Sequence, residues 1–163
     1  LHVVMSLLRM IQRFSGRVPD RRGPGALLNP SGNAVLQGQI GALRVSAHFF
    51  VRRDGEVVQF VSCDQRAWHA GASQWRGREN CNDWSIGIEL EGLEGERFER
   101  AQYRALLRLL NALRVHYPLG EVVGHEHVAP ARKADPGARF EWPRLARALR
   151  GRLATAEEVA NTN

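Results

Sequence analysis

Lysine is almost absent from this chain: of 23 lysine plus arginine residues only Lys133 is a lysine, and the other 22 cations are arginines. An ammonium is a compact point charge on a flexible stem, able to act at close range where a planar guanidinium does not fit. Composition alone equally allows Lys133 to be one more charge on a solvated loop. Cysteine is scarce as well. Cys63 and Cys81 are too few for a disulfide framework and have no CxxC spacing, which excludes a cysteine-stapled scaffold and points to a reducing compartment. There is no apolar run of about 18 residues, so no membrane-spanning helix is expected. Residues 1–8 are apolar but lack the basic start and small-residue cleavage site of a signal peptide. The chain opens on Leu1 instead of methionine, so further natural sequence is expected upstream.

What is present describes an ordinary globular chain. With 163 residues, 44% hydrophobic and 25% charged, it is long enough for one domain with a real core. A formal charge of +6 and a pI near 10.5 favour a carboxylate-bearing partner. The arginines are dispersed and no nucleic-acid module accompanies them, so a basic cleft for an acidic small molecule ranks above nucleic-acid binding, and a monomer is expected.

Hydrophobic periodicity predicts a short buried strand over residues 1–5 and a helical turn over 7–14. A long Gly, Pro, Asn and Arg-rich loop follows over 16–41. Strands are predicted over 45–51 and 56–62, joined by a turn containing Asp54-Gly55. Another strand is predicted over 84–91, and an amphipathic helix over 98–116 on the spacing of Tyr103, Leu106, Leu107, Leu110 and Leu113. Residues 121–125 read as a short strand delivering His125, residues 142–153 as a closing helix with Pro143 in its first turn, and residues 155–163 as a fraying polar tail. The fold class is therefore mixed α/β: a single domain over residues 1–153 with a central mixed sheet flanked by helices, then a polar tail over 154–163.

His125 at a strand end and Asp135 in the next loop are both acceptable ligands for Zn²⁺, whose catalytic sites take three protein ligands. Glu89 sits in the apolar strand Ile86-Gly87-Ile88-Glu89-Leu90. A carboxylate there is costly to bury unless it is paired or working, which makes Glu89 either a proton acceptor or a strand-end carboxylate bonded to backbone or arginine. His48 reads as a packing or hydrogen-bonding residue beneath the site, and His116 as a helix-end residue suited to the dipole. Trp75 and Trp84 read as core.

Taken in order, Val45-Ser46-Ala47-His48, Arg53-Asp54-Gly55, Ala67-Trp68-His69-Ala70-Gly71, Cys81-Asn82-Asp83, Gly87-Ile88-Glu89-Leu90-Glu91-Gly92 and Gly124-His125 through Lys133-Ala134-Asp135-Pro136-Gly137 resemble the AmpD-type anhydro-N-acetylmuramoyl-L-alanine amidases. These form the cytoplasmic recycling branch of the zinc amidase superfamily that also includes peptidoglycan recognition proteins, so the resemblance implies a cytoplasmic setting. The resemblance implies an amidase or recognition-protein fold and a zinc cofactor held by His125, Asp135 and a histidine ending the first strand. It implies that Glu89 activates the attacking water and that Lys133 stabilises the developing oxyanion. Arg44, Trp68, His69 and Ala129 would line the substrate groove, and the substrate would be a muropeptide of cell-wall turnover.

The resemblance breaks at the first strand, where Met5 stands in the place of the zinc histidine, and methionine is a poor zinc ligand. Ser6, Leu8 and Arg9 depart too, and Asn80 stands where the family often places an arginine. Three outcomes follow from Met5: His2 supplies the third ligand in a shifted register, His127 supplies it from the His125-Glu126-His127 run, or the site is incomplete and the chain binds muropeptides without cleaving them.

Overall fold

The computed structural model describes residues 2–8 as backbone, together with residues 46–93, 95–150 and 154–155. The predicted loop over 16–41, most of the turn over 7–14, Arg44 and the tail beyond Thr155 lie outside the described residues. Among the described residues eight strands and three α-helices follow one another: β1 His2–Leu8, β2 Phe49–Val51, β3 Val57–Gln59, β4 Gln74–Trp75, β5 Arg78–Glu79, β6 Ser85–Glu91, α1 Arg100–His116, β7 Glu121–Gly124, α2 His125–Val128, α3 Trp142–Leu149 and β8 Ala154–Thr155. Among the described residues six strands form one mixed sheet in the order β3-β2-β6-β1-β7-β8, antiparallel only between β2 and β3. Strands β4 and β5 form a small hairpin apart from it.

Strand β6 is the hinge between the two sides of the molecule. Alternation sends Ile86, Ile88 and Leu90 into the main core with Leu106 and Leu110 of α1, Leu145 and Leu149 of α3, and Phe49, Val51 and Val122. Full burial of each such leucine contributes about 2 kcal/mol. Ser85, Gly87 and Glu89 therefore face the other side, where loops and α2 cover the sheet around Ala70, Cys81, Trp84, Val123 and Val128. A strand buried on both faces in this way belongs to a parallel sheet.

Helix α1 forms where its apolar spacing predicts, and its ends are fixed chemically. The Glu99 N–H donates to Gln102 Oε1 at 2.9 Å in a capping box, while Gln102 Nε2 donates to Glu91 O at 2.9 Å and ties the helix to the end of β6. Tyr117 is extended before Pro118, which stops the helix. The Asp54-Gly55 turn closes the β2–β3 hairpin, with Gly55 at φ +90° and Ala101 too close for a Cβ.

Three predicted elements are corrected. Strand β1 runs to Leu8, because β6 offers it a parallel partner through Glu91, so Leu7 and Leu8 do not open a helix. Strand β2 is shorter than residues 45–51 because Ser46 and His48 spend their backbone groups on Trp68 and Gly87 instead of on a hairpin ladder. Thr155 is fully buried and pairs with Val122 at the β7 edge, so the tail does not fray from that residue. The hairpin β4–β5 has no counterpart in the sequence reading.

Candidate active site

The candidate site assembles where β7 ends. His125 opens α2 instead of closing the strand, and it is 4% exposed. Its Nε2 lies 3.0 Å from Ala70 O. A carbonyl only accepts, so Nε2 carries a proton. The other ring nitrogen, Nδ1, lies 3.2 Å from Asp135 Oδ2. Two lone pairs at that separation repel, so a proton or a metal cation between them would relieve the contact, and without one this tautomer depends on the hydrogen bond at Nε2. Asp135 is brought there by its own backbone and by a glycine. Its carbonyl accepts from the Glu126 N–H at 2.8 Å, and Pro136 packs against Gly124, where a Cβ would come within 2.8 Å of the proline ring.

Because α2 is helical, residues two apart point to different sides of its axis, and His127 does not join His125. His127 Nδ1 instead accepts the Gly124 N–H at 2.8 Å, and its ring sits edge-on to Trp142 at 5.3 Å and to Trp75 at 6.3 Å. That removes the His127 alternative for the third ligand. The β1 register bears on His2. Met5 pairs with Gly124 and Ile88, whereas His2 pairs with Ser85, about 10 Å back along the strand. The backbone position beside the end of β7 belongs to Met5.

Loop 67–71 crosses the polar face of β6. His69 is 3% exposed and its ring lies flat over Gly87, where any Cβ would overlap it. Ser85 Oγ donates to Cys81 O, so the 3.4 Å contact between Ser85 Oγ and His69 Nε2 runs from the ring N–H, leaving Nδ1 as a buried lone pair without a partner among the described residues. Burial, reinforced by His48 and His125, holds the ring neutral down to about pH 3. His69 thus lies under the loop and not along a groove. His48, as expected, serves the framework: Nδ1 accepts the Gly87 N–H at 2.9 Å and Nε2 donates to Gln65 O at 3.0 Å, and burial lowers its pKa.

The remaining expected groups have distinct surroundings. Glu89 is 6% exposed, on the same face of β6 as Gly87. Lys133 is exposed, at the end of a turn in which Ala129 O accepts from both the Arg132 and Lys133 N–H groups at 2.9 Å. Ala129 itself is 7% exposed. Trp68 is 54% exposed, with the Arg66 guanidinium 3.5 Å above one ring face. A cavity of about 700 Å³ opens between the β4–β5 hairpin and α2, lined by Trp75, Asn80, His127, Val128 and Pro130 among others, but His125 and Asp135 do not line it. Asn82 and Arg132 stand inside the quoted motifs but received no role from the sequence, because their partners are backbone groups of loop 67–71.

The donor set fits zinc in part. With Zn–N and Zn–O bonds near 2.0–2.2 Å, a tetrahedral edge is about 3.4 Å, close to the His125–Asp135 spacing. The Nε2–H bond to a carbonyl is the outer contact that presents Nδ1 to a metal. Among the described residues no third ligand joins them, and no group of three His, Cys, Asp or Glu side chains could hold a metal.

Residues 21–138 match the family described as N-acetylmuramoyl-L-alanine amidase. The chain is 51% identical over 120 residues to the 1,6-anhydro-N-acetylmuramyl-L-alanine amidase AmpD of Citrobacter freundii, covering 72% of this chain and 64% of that protein. It thus spans less than two thirds of the length of the curated relatives it matches first. Its fold is similar to the crystal structure of a selenomethionine derivative of AmpD, with TM-score 0.64 and 38% identity, covering 90% of this chain and 83% of that one. It is also similar to the amidase AmiD from E. coli in complex with anhydro-N-acetylmuramic acid-L-Ala-D-gamma-Glu-L-Lys, with TM-score 0.65 and 30% identity, covering 90% of this chain and 56% of that one. No helix among the described residues is long and apolar enough to cross a membrane.

Proposed function

The chain belongs to the N-acetylmuramoyl-L-alanine amidase family, and we propose that it hydrolyses the amide joining the lactyl group of anhydro-N-acetylmuramic acid to L-alanine in muropeptides of cell-wall turnover. The observation that carries this reading is the His125–Asp135 pair, spaced as a ligand edge and held from behind by the Ala70 carbonyl. His125 and Asp135 would hold Zn²⁺, and the third corner is unassigned. When bound, such an ion polarises a carbonyl and acidifies water. Glu89, buried in β6, takes a proton from the attacking water and returns it to the leaving α-amine of L-alanine. The Lys133 ammonium stabilises the oxyanion of the tetrahedral stage, worth roughly 3 kcal/mol by analogy with oxyanion donors. Trp68 and Ala129 would line the groove for sugar and peptide, with His69 supporting the loop that carries Trp68, and Arg44 would bind a substrate carboxylate. A monomeric domain that extends past residue 153 to include β8, acting in the cytoplasm on free turnover fragments, completes the proposal.

The test is incubation of purified protein with anhydro-muramoyl tripeptide, with added zinc and with chelator, following free peptide. Zinc-dependent release is expected, and no release at any zinc concentration defeats the reading. Met5 favours one second reading, a module that binds muropeptides without cleaving them. Its signature is fragment binding in a protein that elemental analysis finds free of zinc.

A further inference from the structure

The Ala70 carbonyl is the meeting point of two donors from distant parts of the chain. Arg132 Nη2 lies 2.6 Å from Ala70 O and 3.0 Å from Ala72 O, while His125 Nε2 shares Ala70 O at 3.0 Å. From the other side, Asn82 Oδ1 accepts the His69 N–H at 2.9 Å and the Ala70 N–H at 2.8 Å. Between the two carbonyls sits Gly71 at φ +60°, where a Cβ would come within 2.9 Å of Arg132 Nη2. The loop thus leaves the guanidinium the space it fills, and the contact spans 62 positions of sequence.

We propose that Arg132 is a positioning residue for His125: by clamping loop 70–72 it holds the Ala70 carbonyl in line with Nε2, so that His125 keeps its proton there and presents Nδ1 toward Asp135. A neutral imidazole has one N–H and here two rival acceptors, the Ala70 carbonyl on one side and the Asp135 carboxylate on the other. A charged acceptor makes the stronger hydrogen bond, so free competition draws the proton to Nδ1. The opposite tautomer, which leaves the Nδ1 lone pair available, persists only if the carbonyl is fixed where Nε2 can reach it. Asn82 fixes the amide side of that peptide segment and Arg132 the carbonyl side. The clamp exists whether or not the chain is an amidase; only its catalytic consequence rests on the proposed function.

The experiment is long-range ¹H–¹⁵N correlation of the imidazole rings in metal-free, ¹⁵N-labelled protein at roughly pH 9, well above the ordinary imidazole range. In the unsubstituted protein His125 is expected as the Nε2–H tautomer. Arg132→Leu removes the clamp, and Gly71→Ala displaces it without touching the arginine; both are expected to move most of His125 to the Nδ1–H form, and Arg132→Lys to restore Nε2–H. Arg132 is exposed, so its variants are expected to fold, and melting curves verify this for all three. An Nδ1–H tautomer in the starting protein, or folded Arg132→Leu and Gly71→Ala variants with its tautomer unchanged, overturns the proposal. On the muropeptide, the same variants should lower kcat by roughly 10–100-fold with little change in KM, the usual cost of losing an outer contact to a ligand histidine. A rise in KM at constant kcat contradicts the assignment. Absence of hydrolysis in the unsubstituted protein defeats the amidase reading alone, because the tautomer measurement needs no turnover.

Discussion

The two faces of β6 are built from alternate residues of one seven-residue strand, yet they are held by different physics. Ile86, Ile88 and Leu90 meet α1 and α3 through apolar area, where many contacts share the load and shapes of similar volume can substitute. Ser85 and Gly87 meet His69 and His48 through one-to-one fits, a ring on a bare backbone and an imidazole on an N–H, while the Asn82 side-chain amide holds loop 67–71 by two N–H groups. The apolar face sets how stable the molecule is; the polar face sets where His125 can point.

Substitutions along the strand should separate these roles. Glu89→Gln is expected to lower kcat on the anhydro-muropeptide by roughly 10³-fold while leaving the melting temperature in place, and a melting loss that accounts for the lost rate would assign Glu89 to structure instead. Ile88→Ala, one residue away, should do the reverse: about 3 kcal/mol lost in urea unfolding with kcat of the folded fraction retained. Gly87→Ala forces its Cβ into the His69 ring and is expected to cost about 2 kcal/mol, with a His69 that titrates closer to its ordinary range. An unperturbed His69 in that variant would dissolve the contrast between the faces. Acid should erode the polar face as well. The folded protein keeps His69 neutral down to about 3, whereas the unfolded chain takes up its proton near 6.5. Its contribution is therefore complete above 6.5 and is lost as the pH falls toward 3, at roughly 1.4 kcal/mol per pH unit, and His69→Gln should flatten that slope in pH-dependent unfolding. Ile88→Val is the mildest change, expected to cost about 1 kcal/mol and nothing else.

The sequence exposes the apolar face far better than the polar one. Tyr103, Leu106, Leu110 and Leu113 recur at helical spacing and are buried in α1, because area burial leaves a periodic trace. Glu89, His125 and Asp135 stand out as chemistry-bearing letters, and the structure brings the last two together. What the letters do not carry is their support. Arg132 looks like any of 22 arginines until the loop folds beneath it, and Ala70 matters through a carbonyl that every residue possesses. Reading His127 as a partner of His125 assumes extended spacing, and the single turn of α2 sends the two rings apart.

The scarcity of lysine gives this molecule a practical handle. Lys133 is exposed and is the sole side-chain amine, so an acylating reagent meets one internal address, a few residues from Asp135, besides the chain terminus. Labelling there needs no introduced cysteine and tests the proposed place of Lys133: slower labelling in the presence of a muropeptide would put the amine at the bound fragment, and an unchanged rate would put it elsewhere.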